Sequence, residues 1–324
     1  MELIIIKYIY ESNIFKKWHW FNYIFSRYKV ENRAHPFADS IVKALINIDK
    51  KISNYYIEFI DKMSSLSGKE KDINHYDQLM QLVGELYILN RCVTFFADDS
   101  ITFEHEPTCG DSKKNPEFII NFENYSVAVE VKCPATTNLR KNKAGKTQLL
   151  TRMSKELVTS DSILPFDNRV KDFCISANSK FQNFKKNPKK IYTILVIVWD
   201  DYIHELTTAL IEDTGLLTNN SFHRDNNGNV VKYDNIDAII IDRQLEQFKL
   251  SAGDRPLLFN KKCPFEYGDS YDYPLKVIFN INDDIPEKIE ECFQTVPYDV
   301  IKEIDVDYSE HAFIHWLKVP VKPK

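Results

Sequence analysis

Glu130 and Lys132 stand two residues apart in SVAVEVK (126 to 132), where Val127, Val129 and Val131 alternate with Ala128, Glu130 and Lys132. This is the period-2 pattern of a half-buried strand, and it puts a carboxylate and an ammonium on one face, ~6–7 Å apart at the backbone. One reading is a strand-end salt bridge, which contributes little when exposed. Acid-x-Lys also occurs at Asp49 to Lys51 and at Asp111 to Lys113, so the triplet alone is unspecific. Its context says more. A preceding strand opened by Pro116-Glu117 and a turn at Glu123-Asn124 bring Glu117 and Glu130 to the same end of a sheet. Two close carboxylates repel unless a cation neutralises them, and a hard divalent ion such as Mg²⁺ suits such oxygens. Lys132 beside that ion would orient or deprotonate a water and offset charge at a phosphate. The pattern fits metal-assisted phosphodiester hydrolysis.

The elements that must position these residues follow from periodicity. A helix is predicted over 75 to 97, its stripe formed by Leu79, Leu82, Val83, Leu86 and Val93, with Glu85 at the border. Short strands are predicted at 101 to 105, 117 to 122 and 126 to 132. A helix over 169 to 186 carries Cys174, Ala177, Phe181 and Phe184 on one face and stops before Pro188. The apolar run at 191 to 199 reads as a strand buried on both faces, and further strands are predicted at 236 to 241 and 275 to 281. Residues 1 to 73 read as a helical N-terminal region, 74 to 245 as an α/β core, and 246 to 324 as an α+β C-terminal extension. The polar stretch 64 to 72 is a candidate linker, and 135 to 150, after Pro134, reads as a polar loop.

"NPEF" (115 to 118) and "VEVK" (129 to 132), with thirteen positions from Glu117 to Glu130, resemble the PD-(D/E)XK nucleases. "GELYILNR" (84 to 91) is similar to the first core helix of that superfamily, and "SKFQNF" (179 to 184) to the helix after the motif. The resemblance covers about 75 to 242. It implies a restriction-endonuclease-like core, a mixed central sheet flanked by helices. It also implies a metal-dependent endonuclease of the kind found in restriction or phage defence. Glu117 and Glu130 would hold Mg²⁺ (or Mn²⁺) with the Val131 carbonyl, Lys132 would position the water, and Glu85 would be a direct or supporting ligand. One departure is that Glu117 stands where the family usually has aspartate. Asp111 is the fallback ligand. An inactive nuclease-like fold serving as a nucleic-acid-binding or scaffold subunit is the alternative, and an accidental motif is a third reading.

The chain has 324 residues and a formal net charge of −5, so it is not basic overall. Two stretches are. Lys132 to Lys155 holds seven basic residues (Lys132, Arg140, Lys141, Lys143, Lys146, Arg152 and Lys155) and no acidic one; Ser176 to Lys190 holds five lysines, again with no acid. Such clusters attract phosphate backbones without reading sequence. Arg140, Lys141, Lys143, Lys146, Lys180 and Gln182 are therefore candidate nucleic-acid contacts, with DNA preferred over RNA as partner and a homodimer or larger complex allowed for. Six cysteines occur singly, as expected of reduced thiols in a cytoplasmic protein, and MELIIIKYIY is too short for a membrane span. His311 and His315, at i, i+4 in SEHAFIHW, match helical metal-ligand spacing but lack a third ligand nearby and read as structural. No GxGxxG, P-loop, HExxH or GxSxG pattern is present.

Overall fold

The computed structural model describes all residues except 31–34, 67–72, 110–113, 136–145, 152–167, 187, 200–202, 212–213, 259–260, 268–275, 301–312 and 319–324. Five helices come first: α1 (Glu2–Glu11), α2 (Asn13–Lys16), α3 (Asn22–Val30), α4 (Pro36–Asp49) and α5 (Tyr55–Ser65). They lead into α6 (Ile73–Phe95), β1 (Thr102–His105), β2 (Phe118–Asn121), β3 (Ser126–Lys132) and β4 (Lys146–Thr151). Next come α7 (Asn168–Phe181), β5 (Ile191–Val198), α8 (Ile203–Ile211), β6 (Ala238–Asp242) and α9 (Leu245–Ala252). The last elements are β7 (Lys276–Asn280), α10 (Glu287–Phe293), β8 (Val296–Pro297) and β9 (Phe313–Lys318).

The fold is α/β. A seven-stranded sheet runs β1-β2-β3-β5-β6-β7-β8 and is mixed: β3, β5 and β6 are parallel neighbours, while β1–β2, β2–β3 and β6–β7 are antiparallel. Alternation along the strands sorts side chains into two apolar layers. Val127, Val129, Val131, Ile194, Val196 and Ile240 join the layer of α4, α5 and α6. Ala128, Leu195, Ile197, Ile239 and Ile241 join the opposite layer, with Val170, Cys174, Ala177 and Phe181 of α7 and Leu206 and Leu210 of α8. Helices on both faces explain why β3, expected to be half-buried, is buried on each side up to Glu130, with Ala128 and Glu130 both at 0 % exposure.

The N-terminal helices share their apolar layer with α6 and the sheet, through Ile5, Phe21, Phe37, Leu45 and Phe59. From the C-terminal region, β7 and β8 extend the same sheet, with Lys276 directly opposite Asp242 across β6–β7. Both of those side chains are fully buried, and Asp242 also accepts from Tyr87 Oη at 3.1 Å and from the Gln244 amide at 2.8 Å. The helix expected to reach residue 186 ends at Phe181, and a 3₁₀ turn over Phe184–Lys186 returns Phe184 to the apolar layer. The expected loop at 135 to 150 is strand from Lys146, where β4 pairs with β9 in a separate two-stranded sheet. That pairing places His315 in a strand, so the helical spacing it shares with His311 does not apply; His311 lies outside the described residues.

Gly84 sets how closely α6 lies on the sheet, because a Cβ there would overlap Cys133 Sγ at the end of β3. Gly84→Ala is expected to destabilise by about 1–3 kcal/mol through overpacking. Cys133→Ala in the same chain should restore most of the loss, a coupling that urea titration of the double-mutant cycle reads directly.

Candidate functional site

The β2–β3 hairpin carries the two motif carboxylates. Phe118 pairs with Val129, and the Glu117 amide donates to the Val129 carbonyl at 3.0 Å, which sets Glu117 beside the end of β3. By strand alternation Glu130 and Lys132 share the face of Ala128, the face covered by α7. Lys132 Nζ lies 2.6 Å from Glu130 Oε1. A second ammonium comes from the last turn of α7: Lys180 Nζ lies 2.7 Å from Glu130 Oε1, 2.9 Å from Glu130 Oε2 and 3.5 Å from Glu117 Oε1. The pair read from sequence is thus a tetrad, with Lys180 bridging the two carboxylates.

Glu85 approaches from α6. Gln81, one turn earlier, donates from Nε2 to Glu85 Oε1 at 2.7 Å and to the Val131 carbonyl at 3.1 Å, while its Oε1 accepts from the Cys133 amide at 2.5 Å. Gln81 therefore clips the end of β3 to α6 and aims Glu85 at the motif. Burial first, then the charge of Glu117, push the Glu85 carboxyl up to about 8. Burial and then the charge of Glu130 also raise Glu117, against the pull of Lys180 and Lys132. These shifts mark a site with more carboxylates than its lysines neutralise.

The Glu85 shift has a consequence for stability. Its carboxyl rises from 4.5 to about 8 in the fold. Between those values the folded state binds more protons than the unfolded state. The contribution is full below 4.5 and is lost as pH rises through about 8. Glu85→Gln should melt close to wild type at pH ~5 and about 2–4 °C above it at pH ~9. A melting-temperature difference that stays flat across this range would contradict the buried-acid account.

The structure brings together Glu85, Glu117, Glu130, Lys132 and Lys180 and turns the Val131 carbonyl toward Gln81. It does not bring Gln182 to them; that residue is exposed beyond the end of α7. Lys146 lies in the separate β4–β9 sheet. Asp111, Arg140, Lys141 and Lys143 lie outside the described residues. Sequence reasoning missed Gln81 altogether. The signal was available, since a polar side chain one turn before Glu85 shares its helix face. Lys180 was expected at phosphate, and its carboxylate contacts depend on how α7 docks.

Three donors, Glu58, His105 and Glu106, form the one described set whose ligand atoms all lie within 4.8 Å of one another. Lys62 already occupies it, 2.5 Å from Glu106 Oε1 and 3.1 Å from Glu58 Oε1. Glu85, Glu117 and Glu130 stand further apart, with Lys180 between the last two. As hard oxygen donors they suit Mg²⁺ or Mn²⁺. Burial keeps Glu85 largely protonated below about 8, so a divalent ion would have to displace that proton as well as compete with the lysine ammonium groups for Glu117 and Glu130. Their donor chemistry suits such an ion; their spacing, which exceeds 4.8 Å within the set, would have to close for all three to reach it. Cavities of about 170 Å³ around Tyr233 and about 340 Å³ around Arg255 lie away from these residues. No helix among the described residues is long and apolar enough to cross a membrane. No family model, curated protein or solved structure matches the chain.

Proposed function

We propose that the protein is a Mg²⁺-dependent endonuclease with a restriction-endonuclease-like core, hydrolysing phosphodiester bonds of nucleic acid, DNA ahead of RNA. The supporting observation is the meeting of Glu117, Glu130 and Lys132 at the end of a β-hairpin, with Glu85 held toward them by Gln81. A bound divalent ion would supply Lewis acidity at the phosphate and a water of lowered pKa. Glu117 and Glu130 would hold that ion, and Glu85 would add a third oxygen. Lys132, partly open to solvent at 19 % side-chain exposure, holds the attacking water or a phosphate oxygen as charge builds there. Gln81 keeps the end of β3 fixed against α6. The acid-free basic stretches 132 to 155, before α7, and 176 to 190, from the second half of α7 onward, would take the backbone of the substrate. The six cysteines are all unpaired thiols, in keeping with a cytosolic protein; restriction or phage defence, as a homodimer or in a larger complex, is the setting proposed.

The test is cleavage of labelled DNA and RNA, single- and double-stranded, in Mg²⁺, Mn²⁺ and EDTA. Cutting that requires metal is the expected result; its absence on every substrate would sink the proposal. One observation favours a second reading, a nuclease-like binding module without catalysis: Lys180 already bridges Glu117 and Glu130. That reading expects nucleic-acid binding unaffected by metal.

A further inference from the structure

We infer that Lys180 gates the carboxylate site: its ammonium stands between Glu117 and Glu130 where a divalent cation would bind, and entry of the cation releases it toward the phosphate of the substrate. The inference rests on the endonuclease reading above and assigns that site a regulatory residue outside its motif.

The geometry carries the argument. Lys180 engages both oxygens of Glu130, at 2.7 and 2.9 Å, and reaches Glu117 Oε1 at 3.5 Å. Magnesium requires carboxylate oxygens at ~2.0–2.1 Å in near-octahedral order. An ammonium bridging the same two carboxylates fills the space between them and repels the incoming charge. One of the two must leave. Lys132 starts two residues from Glu130 on its own strand and, among the described residues, pairs with Glu130 Oε1 and does not bridge to Glu117. Lys180 comes from the end of a helix on a flexible four-carbon stem, with 23 % side-chain exposure, so it has somewhere to go. Beside it Lys114 Nζ donates to Ser179 Oγ at 2.7 Å, so the exposed edge of α7 next to Lys180 already carries an ammonium that a phosphate could meet. Released there, Lys180 adds a phosphate contact when the metal is in place. Metal and nucleic acid then favour each other's binding through one side chain, and by linkage the coupling is reciprocal.

The experiment is calorimetric titration of MnCl₂ into the full chain, without nucleic acid, for wild type, Lys180→Met and Lys180→Gln. Binding of a mixed-sequence DNA duplex is then measured with and without Ca²⁺. Lys180→Met is expected to bind Mn²⁺ about tenfold tighter than wild type, equivalent to ~1.4 kcal/mol. Ca²⁺ should strengthen duplex binding by wild type, and the gain should shrink in Lys180→Met. Lys180→Gln, of similar length but uncharged, decides the matter if the Met variant does not fold. Equal or weaker Mn²⁺ affinity in a folded Lys180 variant, with wild type binding the metal, overturns the gate and leaves the endonuclease reading standing. Absence of Mn²⁺ binding in wild type and variants alike overturns both.

Discussion

Lys132→Ala is expected to lower metal-dependent cleavage by about 10²–10³-fold while leaving the fold intact. The side chain is the last of β3 and partly open to solvent, so its loss opens no cavity in either apolar layer. What it removes is a positive charge 2.6 Å from Glu130, at the edge where a phosphate would approach. Lys132→Arg should recover little, since a planar guanidinium on a different stem does not reproduce a compact ammonium. Single-turnover cleavage at saturating metal separates loss of chemistry from loss of binding. An unchanged rate would move the catalytic centre away from this strand.

Glu130→Ala is expected to destabilise the fold by about 3 kcal/mol as well as to abolish cleavage. Glu130 is fully buried and is the main partner of two ammonium groups. Removing it leaves both lysines facing Glu117 alone. Each retains some solvent exposure and can turn outward, which places the cost at the lower end for a broken buried pair. Denaturant titration at constant slope measures the stability change. Glu130→Gln keeps the volume and a hydrogen-bond acceptor, so it should recover part of the stability and none of the activity. A stability loss in Glu130→Ala accompanied by normal cleavage would identify an ordinary structural ion pair.

The strands were legible because their residues obey a strict period. The expected runs at 126 to 132, 191 to 199 and 236 to 241 correspond to β3, β5 and β6, whose apolar residues face two layers. The helix carrying Glu85 was legible for the same reason, its Leu79, Val83 and Leu86 being buried. Local pattern did not reveal what covers the second face of β3, because Ala128 and Glu130 look solvent-facing until α7 is docked. It also set Lys180 at phosphate and did not reveal its carboxylate partners, which lie 50 and 63 positions away. Distances in sequence of that size are set by packing rather than by propensity. The same limit hid the pairing of Asp242 with Lys276, since the expected strand stops at 241, one residue short of Asp242, and Lys276 opens an otherwise apolar run.

That last pairing has a consequence for the order in which the molecule becomes whole. Every residue of the carboxylate site, from Gln81 to Lys180, leaves the ribosome well before Lys276. Until β7 arrives, β6 is an open sheet edge and the buried Asp242 has no cation across from it. A nascent chain halted there holds a full set of reactive groups on an unfinished sheet. Arrival of β7 is thus what closes the β6 edge and commits the sheet, some time after every residue of the carboxylate site has been made.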